Sequence, residues 1–485
     1  MRVTDEKKPE EAATPPPAPP PDRESRSEHS ARIGGRKIAY EAAAGTYTLR
    51  DDAGKPKATL FYTAYTRSGV DDAGLRPLTF AFNGGPGSSS AWLHIGILGP
   101  RRIEFGDALT PIPPPYRLAD NADSILDETD LVFIDPISTG YSRALEGEEA
   151  KQFHGLKEDV QWVGEFIRLH TTRAQRWQSP KFLIGESYGT TRAAALSLHL
   201  QDNLGMSING VALISSILMF ATGRLGLGND LPHILHLPSF AATAWYHGRL
   251  DKRYKKLKAL TDEVEEFALG EYASVLMRGS RASAKERRQV LEKLTAYTGL
   301  PSSHLLESDL RIHPQRFFKE LLREQRRTVG RLDSRFLGID TDAAGEVVEY
   351  DPSLAYIQGP FTALVNDYLR SELGFKEDAL YEVLNGEKVN PWNFGDKGDN
   401  KYAEVASDLR MAMSRNRHLR VLLASGYYDL ATPFAAAEWQ LDHMGLDPEL
   451  RGNITMTRYE AGHMMYVHGP SARALKADLS ALIRG

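Results

Sequence analysis

The sequence predicts an α/β protein with a mostly parallel central sheet and helices on both of its faces. Short, largely apolar runs recur along the chain, and helix-like segments such as residues 157–170 separate several of them. Strands buried on both faces have this continuous apolar pattern, and parallel neighbours need a crossover segment between them. The apolar runs lie at residues 78–82, 131–134, 182–184, 211–214, 419–423 and 454–457.

The N-terminal part of the chain has a different pattern. A proline-rich run at residues 14–21, with charged residues around it, predicts a disordered tail over residues 1–30. Apolar and polar residues then alternate at 37–40, 45–49 and 58–65, with turn residues between the last two segments. Because such alternation is typical of half-buried strands, we expect the sheet to begin with antiparallel strands.

Residues 31–217 and 389–485 are expected to form the two parts of one α/β core. Residues 218–388 between them are rich in charged residues and helix formers, for example at 251–258 and 285–294. We expect this segment to form a mainly helical cap over the carboxyl edge of the sheet. Its basic runs are interpreted as solvent-exposed helix faces, because no nucleic-acid-binding motif accompanies them.

The composition excludes several classes of function. The 485 residues contain no cysteine, so disulfides, a catalytic thiol and cysteine-based metal sites are excluded. A net charge of −5 gives no indication of a nucleic-acid partner, and no run of 18 apolar residues predicts a membrane-spanning helix. The N-terminus lacks the apolar run of a signal peptide, so either the protein stays in the cell or a leader has been removed.

The most informative motif is Gly-Glu-Ser-Tyr-Gly at residues 185–189. It follows an apolar strand pattern and precedes a helix pattern of small residues. In that setting the motif predicts a nucleophile elbow, a sharp turn that exposes the hydroxyl of Ser187 above the sheet. The amides at the start of the following helix point towards any negative charge that forms there. Ser187 is therefore the candidate nucleophile of a serine hydrolase.

A nucleophilic serine needs a base and a carboxylate that orients the base. In the α/β-hydrolase order these residues follow the serine as Asp or Glu and then His. Asp429 stands just after the strand pattern at 419–423, and His463 stands after the last strand pattern. Both side chains are predicted to lie at the carboxyl end of the sheet, and His468 is a nearby competitor further from the strand end.

A glycine-rich segment at residues 83–90 directly follows a predicted strand. In the α/β-hydrolase fold such a loop supplies one oxyanion donor, and the residue after the nucleophile supplies the other. We therefore assign the oxyanion hole to the backbone amides of Gly85 and Tyr188. A phosphate-binding loop is the alternative interpretation, but the Lys-Ser/Thr pair of a P-loop is missing. The predicted chemistry requires no metal and no organic cofactor.

Taken together, the chain resembles the serine carboxypeptidases, peptidase family S10, and in particular its bacterial-type members. The matching motifs run in family order at residues 83–90, 98–100, 135–142, 185–189, 426–429 and 462–464. The resemblance implies an α/β-hydrolase that removes C-terminal residues from peptide substrates. It also implies that Asn83 and a protonated Glu186 hydrogen-bond the terminal carboxylate of the substrate, with Gly84 and Met464 as further substrate-binding residues. It favours an exported protein.

The chain departs from the family pattern at two positions that concern this carboxylate site. Ala81 stands where the best-known members have Trp, and Ile97 stands where they have a second carboxylate-binding Glu. The aspartate motif at 135–142 is also one residue shorter and lacks its usual Gln. Because two close carboxyl groups raise each other's pKa, losing one predicts an enzyme less dependent on acid, or less strict about the substrate C-terminus.

Two other classes of function stay open at this point. One is a different acyl-transfer enzyme on the same fold, such as an esterase, acyltransferase or aminopeptidase. The other is a binding protein that has kept the fold without the activity. The sequence also leaves open the preferred side chains of the substrate and the oligomeric state.

Overall fold

The computed structural model describes residues 21–106, 109, 111–395 and 402–485. The strands of these residues are β1 (Arg23–Ile33), β2 (Arg36–Arg50), β3 (Pro56–Arg67), β4 (Leu78–Phe82), β5 (Arg101–Ile103), β6 (Leu118–Asp120), β7 (Asp130–Ile134), β8 (Arg143–Ala144), β9 (Lys181–Glu186), β10 (Gly210–Ile214), β11 (Thr328–Val329), β12 (Leu337–Gly338), β13 (Arg420–Gly426) and β14 (Ile454–Tyr459). The large sheet has the order β1-β2-β3-β7-β4-β9-β10-β13-β14, with β8 paired to β3.

The helices of the described residues lie around this sheet and in the segment 218–388. They are α1 (Ala91–Leu93), which continues into a π-helical turn (His94–Leu98), α2 (Leu156–Arg173), α3 (Tyr188–Leu204), α4 (Leu231–Tyr246), α5 (Leu257–Phe267), α6 (Ala273–Arg278), α7 (Ala284–Thr298), α8 (Ser302–Glu307), α9 (Pro314–Glu320), α10 (Pro352–Asp367), α11 (Gly386–Val389), α12 (Ala406–Arg415), α13 (Phe434–Asp442) and α14 (Gly469–Arg484). None of them is long and apolar enough to cross a lipid bilayer.

The predicted α/β-hydrolase architecture is confirmed. Strands β7, β4, β9, β10, β13 and β14 pair in parallel, whereas β1, β2 and β3 pair antiparallel at the start of the sheet. All residues of β4, β7, β9 and β10 are buried, as their continuous apolar sequences predict. The carboxyl ends of β4, β9, β10, β13 and β14 therefore meet at one edge of the sheet.

The prediction of a disordered tail over residues 1–30 is wrong at its C-terminal end. Residues from Arg23 onwards form β1, which pairs antiparallel with β2 from Arg23 opposite Thr46 to Ile33 opposite Arg36. The segment is polar, so its side chains gave no apolar signal, and its order comes from backbone pairing with the edge of β2. Residues 1–20, with most of the proline-rich run, lie outside the described residues.

Three buried clusters support the architecture. One lies on each face of the sheet, with α14 on one side and with α2, α3 and α12 on the other. A third cluster lies mainly within residues 218–388, the segment that we call the cap, and includes α4, where Phe240 stacks on Phe317 with ring centroids 4.2 Å apart. Helix α10 lies within the segment expected to form the cap, yet its Phe361 packs on Trp92 of α1 in the first of these clusters.

Candidate active site

Ser187 occupies a strained turn between β9 and α3. Its φ and ψ angles are 60° and −129°, a conformation that L-residues rarely adopt. The turn is tight: a Cβ at Gly185 would lie 2.2 Å from the carbonyl oxygen of Gly189, so position 185 must be glycine. These are the features of a nucleophile elbow, and they hold the Ser187 side chain at the start of α3.

Asp429 and His463 form a buried hydrogen-bonded pair on the loops after β13 and β14. The Nδ1–H group of His463 donates to Oδ2 of Asp429 across 2.7 Å, and the Asp429 side chain is fully buried. The amides of Ala431 and Thr432 donate to Oδ1 of Asp429 across 2.8 and 3.0 Å, and the Thr432 hydroxyl donates to Oδ2 across 2.7 Å. The carboxylate is therefore fixed, and it fixes the imidazole tautomer.

Strand β10 links the elbow to the histidine loop. The Ser187 amide donates to the carbonyl of Ile214 across 3.0 Å, and the hydroxyl of the next residue, Ser215, donates to the carbonyl of His463 across 2.6 Å. The Ser187 hydroxyl itself is half-buried and makes no hydrogen bond within the described residues. Of the predicted triad, Asp429 and His463 are thus hydrogen-bonded to each other, whereas Ser187 makes no hydrogen bond to His463 in the described residues.

The glycine-rich loop after β4 lies directly against the elbow. A Cβ at Gly84 would lie 2.4 Å from the amide nitrogen of Tyr188, so only glycine allows this approach. Gly85 has a φ of 103°, and Tyr188 is the first residue of α3. A first-turn amide has no intrahelical acceptor, so the Tyr188 amide is free to bind an oxyanion beside Ser187.

Asn83 and Glu186 form a second buried polar pair next to Ser187. Oδ1 of Asn83 accepts from the Leu93 amide across 3.0 Å, which leaves its Nδ2 to donate to Oε1 of Glu186 across 3.0 Å. Oε2 of Glu186 is buried and has no hydrogen-bond partner in the described residues. A buried carboxyl oxygen without a hydrogen bond costs free energy of folding. Such unpaired atoms are typical of binding sites, where a ligand supplies the missing hydrogen bond.

Burial and neighbouring charges together set the pKa values of the two titratable groups beside Ser187. Burial raises the pKa of Glu186 to about 7, against the lowering effects of His463, Tyr466 and Asn83. Burial alone would lower the pKa of His463, but the charge and hydrogen bond of Asp429 raise it above its usual value, with help from Glu186. Glu186 therefore keeps its proton close to neutral pH, and His463 is a stronger base than a free imidazole.

The remaining predicted residues lie close by. Met464 follows His463 and is buried in the cluster on the α14 face, as is Ile97 in the π-helical turn after α1. Ala81 is buried within β4, two residues before Asn83. His468, the competing histidine, instead forms a hydrogen bond with the hydroxyl of Ser471 at the start of α14. Groups of three or more acidic or histidine side chains suited to a metal ion are not found in the described parts of the chain.

Two structural partners of the site were missed by the sequence analysis. Arg192 of α3 is buried, and its Nε donates to Oδ2 of Asp159 across 2.7 Å while its Nη1 donates to the carbonyl of Asn83 across 2.6 Å. The Tyr188 hydroxyl also donates to Asp159, across 3.3 Å. This ion pair therefore ties the loop of Asn83 and the start of α3 to α2. The only signal in the sequence was an arginine amid the small residues that follow the elbow.

The second missed partner is residues 331–335, a segment of the cap that we call the clamp. The His463 amide donates to the carbonyl of Leu332 across 2.6 Å, and the Gly462 amide donates to Oδ2 of Asp333 across 3.1 Å. The Leu430 amide donates to the clamp carbonyl of Arg331 across 3.0 Å. The clamp thus holds the loops of Asp429 and His463 together. No local pattern in residues 331–335 indicated this contact.

Comparison with known proteins identifies the family. A family model described as serine carboxypeptidase matches residues 37–469, which is most of the chain. The chain belongs to the serine carboxypeptidase family. It is accordingly a serine-type carboxypeptidase, a hydrolase that acts on peptide bonds. No curated protein matches the sequence of this family member.

Solved structures resemble this carboxypeptidase at low identity. Kex1, a prohormone-processing carboxypeptidase from Saccharomyces cerevisiae, is 16% identical, with 91% of each chain covered and a TM-score of 0.56. A proline iminopeptidase from Mycobacterium smegmatis is 12% identical, with 94% of this chain and 98% of that chain covered and a TM-score of 0.35. The likeness to Kex1 agrees with the α/β-hydrolase fold described above.

Proposed function

We propose that Ser187, His463 and Asp429 are the catalytic triad of this carboxypeptidase. The observation that supports this most strongly is the buried 2.7 Å pair of His463 and Asp429, on loops at the same sheet edge as the strained turn of Ser187. Nε2 of His463 accepts the Ser187 proton while Oγ bonds to the scissile carbonyl carbon. The C–N bond then breaks, the leaving amine takes that proton, and water hydrolyses the acyl-enzyme by the reverse transfers.

The oxyanion of each tetrahedral intermediate is bound by the backbone amides of Gly85 and Tyr188. Removal of one such donor costs about 3 kcal/mol of transition-state stabilisation in comparable sites. The contact of Gly84 with the Tyr188 amide and the left-handed backbone of Gly85 support this assignment, because they bring the two segments together beside Ser187.

Recognition of the substrate C-terminus is assigned to Asn83 and Glu186, with Gly84 and Met464 beside them. A neutral glutamic acid donates a hydrogen bond to a carboxylate, whereas an ionised one repels it. The raised pKa of Glu186, about 7, keeps the acid form populated up to neutral pH. The buried, unpaired Oε2 is the atom available for that bond.

This assignment predicts a pH dependence that differs between substrate acids and amides. For a blocked dipeptide with a free C-terminus, kcat/KM should rise as His463 loses its proton and fall as Glu186 loses its proton above about pH 7. For the C-terminal amide of the same dipeptide only the rise is expected, because an amide does not need the glutamic proton. The two limbs of the profile give apparent pKa values, which belong to His463 and Glu186 as a coupled pair and not to either residue alone.

The measurement is kcat/KM against pH for the acid, the amide and the ester of one blocked dipeptide. Superimposable profiles for acid and amide would contradict the role of Glu186. A sharp optimum for the acid at about pH 5 would contradict the account of a single neutral glutamic acid. Hydrolysis of the ester without hydrolysis of the acid would favour the esterase alternative instead.

A further inference from the structure

We propose that β1 is a dimerisation strand, which pairs antiparallel with β1 of a second copy of this chain. Strand β1 is the last strand on its side of the large sheet, so one of its edges has no strand beside it in the described residues. Such an edge presents backbone amides and carbonyls to any chain that can pair with it. The proposal concerns assembly and does not depend on the catalytic roles proposed above.

The hairpin between β1 and β2 determines which residues of β1 face the open edge. Gly34 and Gly35 form a two-residue turn with φ values of 53° and 79°, so the closing pair of Ile33 and Arg36 is hydrogen-bonded. Hydrogen-bonded pairs alternate with non-hydrogen-bonded pairs along an antiparallel ladder. The odd-numbered residues of β1 therefore bond to β2, whereas the amides and carbonyls of its even-numbered residues point to the open edge.

The open part of this edge covers residues 24–30. At its C-terminal end the Arg32 amide points away from β2, as the alternation requires, and donates to Oδ2 of Asp120 in β6 across 2.9 Å. The outward-facing groups before that point have no hydrogen-bond partner in the described part of the chain. They belong to residues whose side chains are also exposed, namely Glu24, Arg26, Glu28 and Ser30.

The charges of β1 favour one register for this pairing. With Ser27 opposite Ser27 of the second copy, Arg26 lies opposite Glu28 of that copy, and by symmetry Glu28 lies opposite its Arg26. Opposite charges across a strand pair stabilise it, whereas like charges destabilise it. Even-numbered residues face even-numbered residues in this register, so the free backbone groups of both copies can bond to each other.

Glu28 lacks a cation within its own chain. It lies opposite Glu41 of β2, and such a like-charge pair destabilises the hairpin. Arg26 does not compensate it, because its guanidinium bonds to Glu41 across 2.5 Å and to Glu24 across 2.7 Å. Glu28 forms no ion pair of its own within the described residues. Charged edge strands usually prevent association, but here Arg26 of the second copy supplies the cation that Glu28 lacks.

The test is sedimentation equilibrium of the full-length protein at about 1 to 100 µM, with Arg26→Glu, Glu28→Arg and an equimolar mixture of the two variants. Each variant alone places like charges opposite each other, so its dimer dissociation constant should rise about tenfold or more. In the mixture, one chain is acidic at both positions and the other is basic at both. The mixed dimer should therefore form about as tightly as the wild-type dimer.

Arg288→Glu is the matched control, because it reverses an exposed charge on α7 of the cap and should leave the dimer intact. The kcat per chain on a blocked dipeptide should be the same in all samples, since four strands separate β1 from β9, which leads to Ser187. Equal kcat also shows that the variants fold. A monomeric wild type, a dimer that both variants keep, or a mixture that stays monomeric would each overturn the proposal.

Discussion

At the residue scale, the buried Arg192 connects the proposed oxyanion segments to the packing of α2. Its guanidinium is about 1% exposed and lies between the Asp159 carboxylate, the Asn83 carbonyl and the Tyr188 ring. A buried charge is tolerated only when its partners satisfy it. Here those partners belong to the segments that carry the proposed oxyanion donors, so the ion pair holds these two segments against each other.

Arg192→Met should therefore be strongly destabilising, since it leaves the Asp159 carboxylate buried without its cation. We expect a loss of about 3–5 kcal/mol in the free energy of unfolding, measured in urea. Arg417→Met is the control: that arginine is mostly exposed and pairs with Glu449 across 2.5 Å, so its loss should cost less than about 1 kcal/mol. Equal stability of Arg192→Met and the wild type would refute this account.

A double variant separates the charge effect from simple loss of packing. Adding Asp159→Leu to Arg192→Met removes the orphaned carboxylate, and much of the stability should return. Arg192→Met should also lower kcat, because the Asn83 carbonyl loses its donor, and this fall should persist in the double variant. Recovery of activity along with stability would mean that Arg192 serves the fold alone.

The residues found from the sequence and the residues missed differ in one respect. Ser187, Asp429 and His463 stand in short motifs at strand ends, so local patterns sufficed to propose them. Arg192 bonds to partners 33 and 109 positions away in the chain. Such contacts depend on how α2, α3 and the loop after β4 pack, and no local pattern encodes that packing.

At the element scale, the strands of the core were predictable and β1 was not. Buried parallel strands have an apolar sequence because both faces lie against helices. Strand β1 is an edge strand with mostly exposed side chains, so its polar sequence resembles a tail. Helix α2 was expected at residues 157–170 and extends over Leu156–Arg173, since its periodicity is clear and only its ends are uncertain.

The clamp contacts the loops of both Asp429 and His463, so it is expected to position His463. A Cβ at Gly462 would lie 2.4 Å from Cβ of Asp333 and 2.5 Å from the Leu332 carbonyl oxygen. Gly462→Ala should push the clamp away from the His463 loop and lower kcat about 100-fold, as for other small misplacements of a catalytic group. Steady-state kinetics on a blocked dipeptide measures this.

Gly452→Ala is the control for that experiment. A Cβ at Gly452 meets no atom within 4 Å, and the residue lies in the turn before the same strand, β14. Its kcat should match the wild type. If Gly462→Ala also kept full kcat, the clamp would not position His463.

At the scale of the whole molecule, the sheet and the cap contribute different parts of one site. The sheet brings together loops that are more than 270 positions apart in the chain, because parallel strands deliver their carboxyl ends to one edge. The cap has its own buried cluster and reaches the site through the clamp. The fold class followed from the pattern of strands and helices, whereas the position of the clamp depends on tertiary packing of the cap.

The most direct test of the account is covalent labelling of the wild type and Ser187→Ala with a fluorophosphonate, alongside release of the C-terminal amino acid from a blocked dipeptide. We expect one adduct per chain, located by peptide mapping on Ser187, and rapid release of the amino acid by the wild type. Ser187→Ala should take up no label and lose about 10⁶-fold in kcat. Labelling at another residue, or turnover retained by Ser187→Ala, would contradict the assignment of the nucleophile.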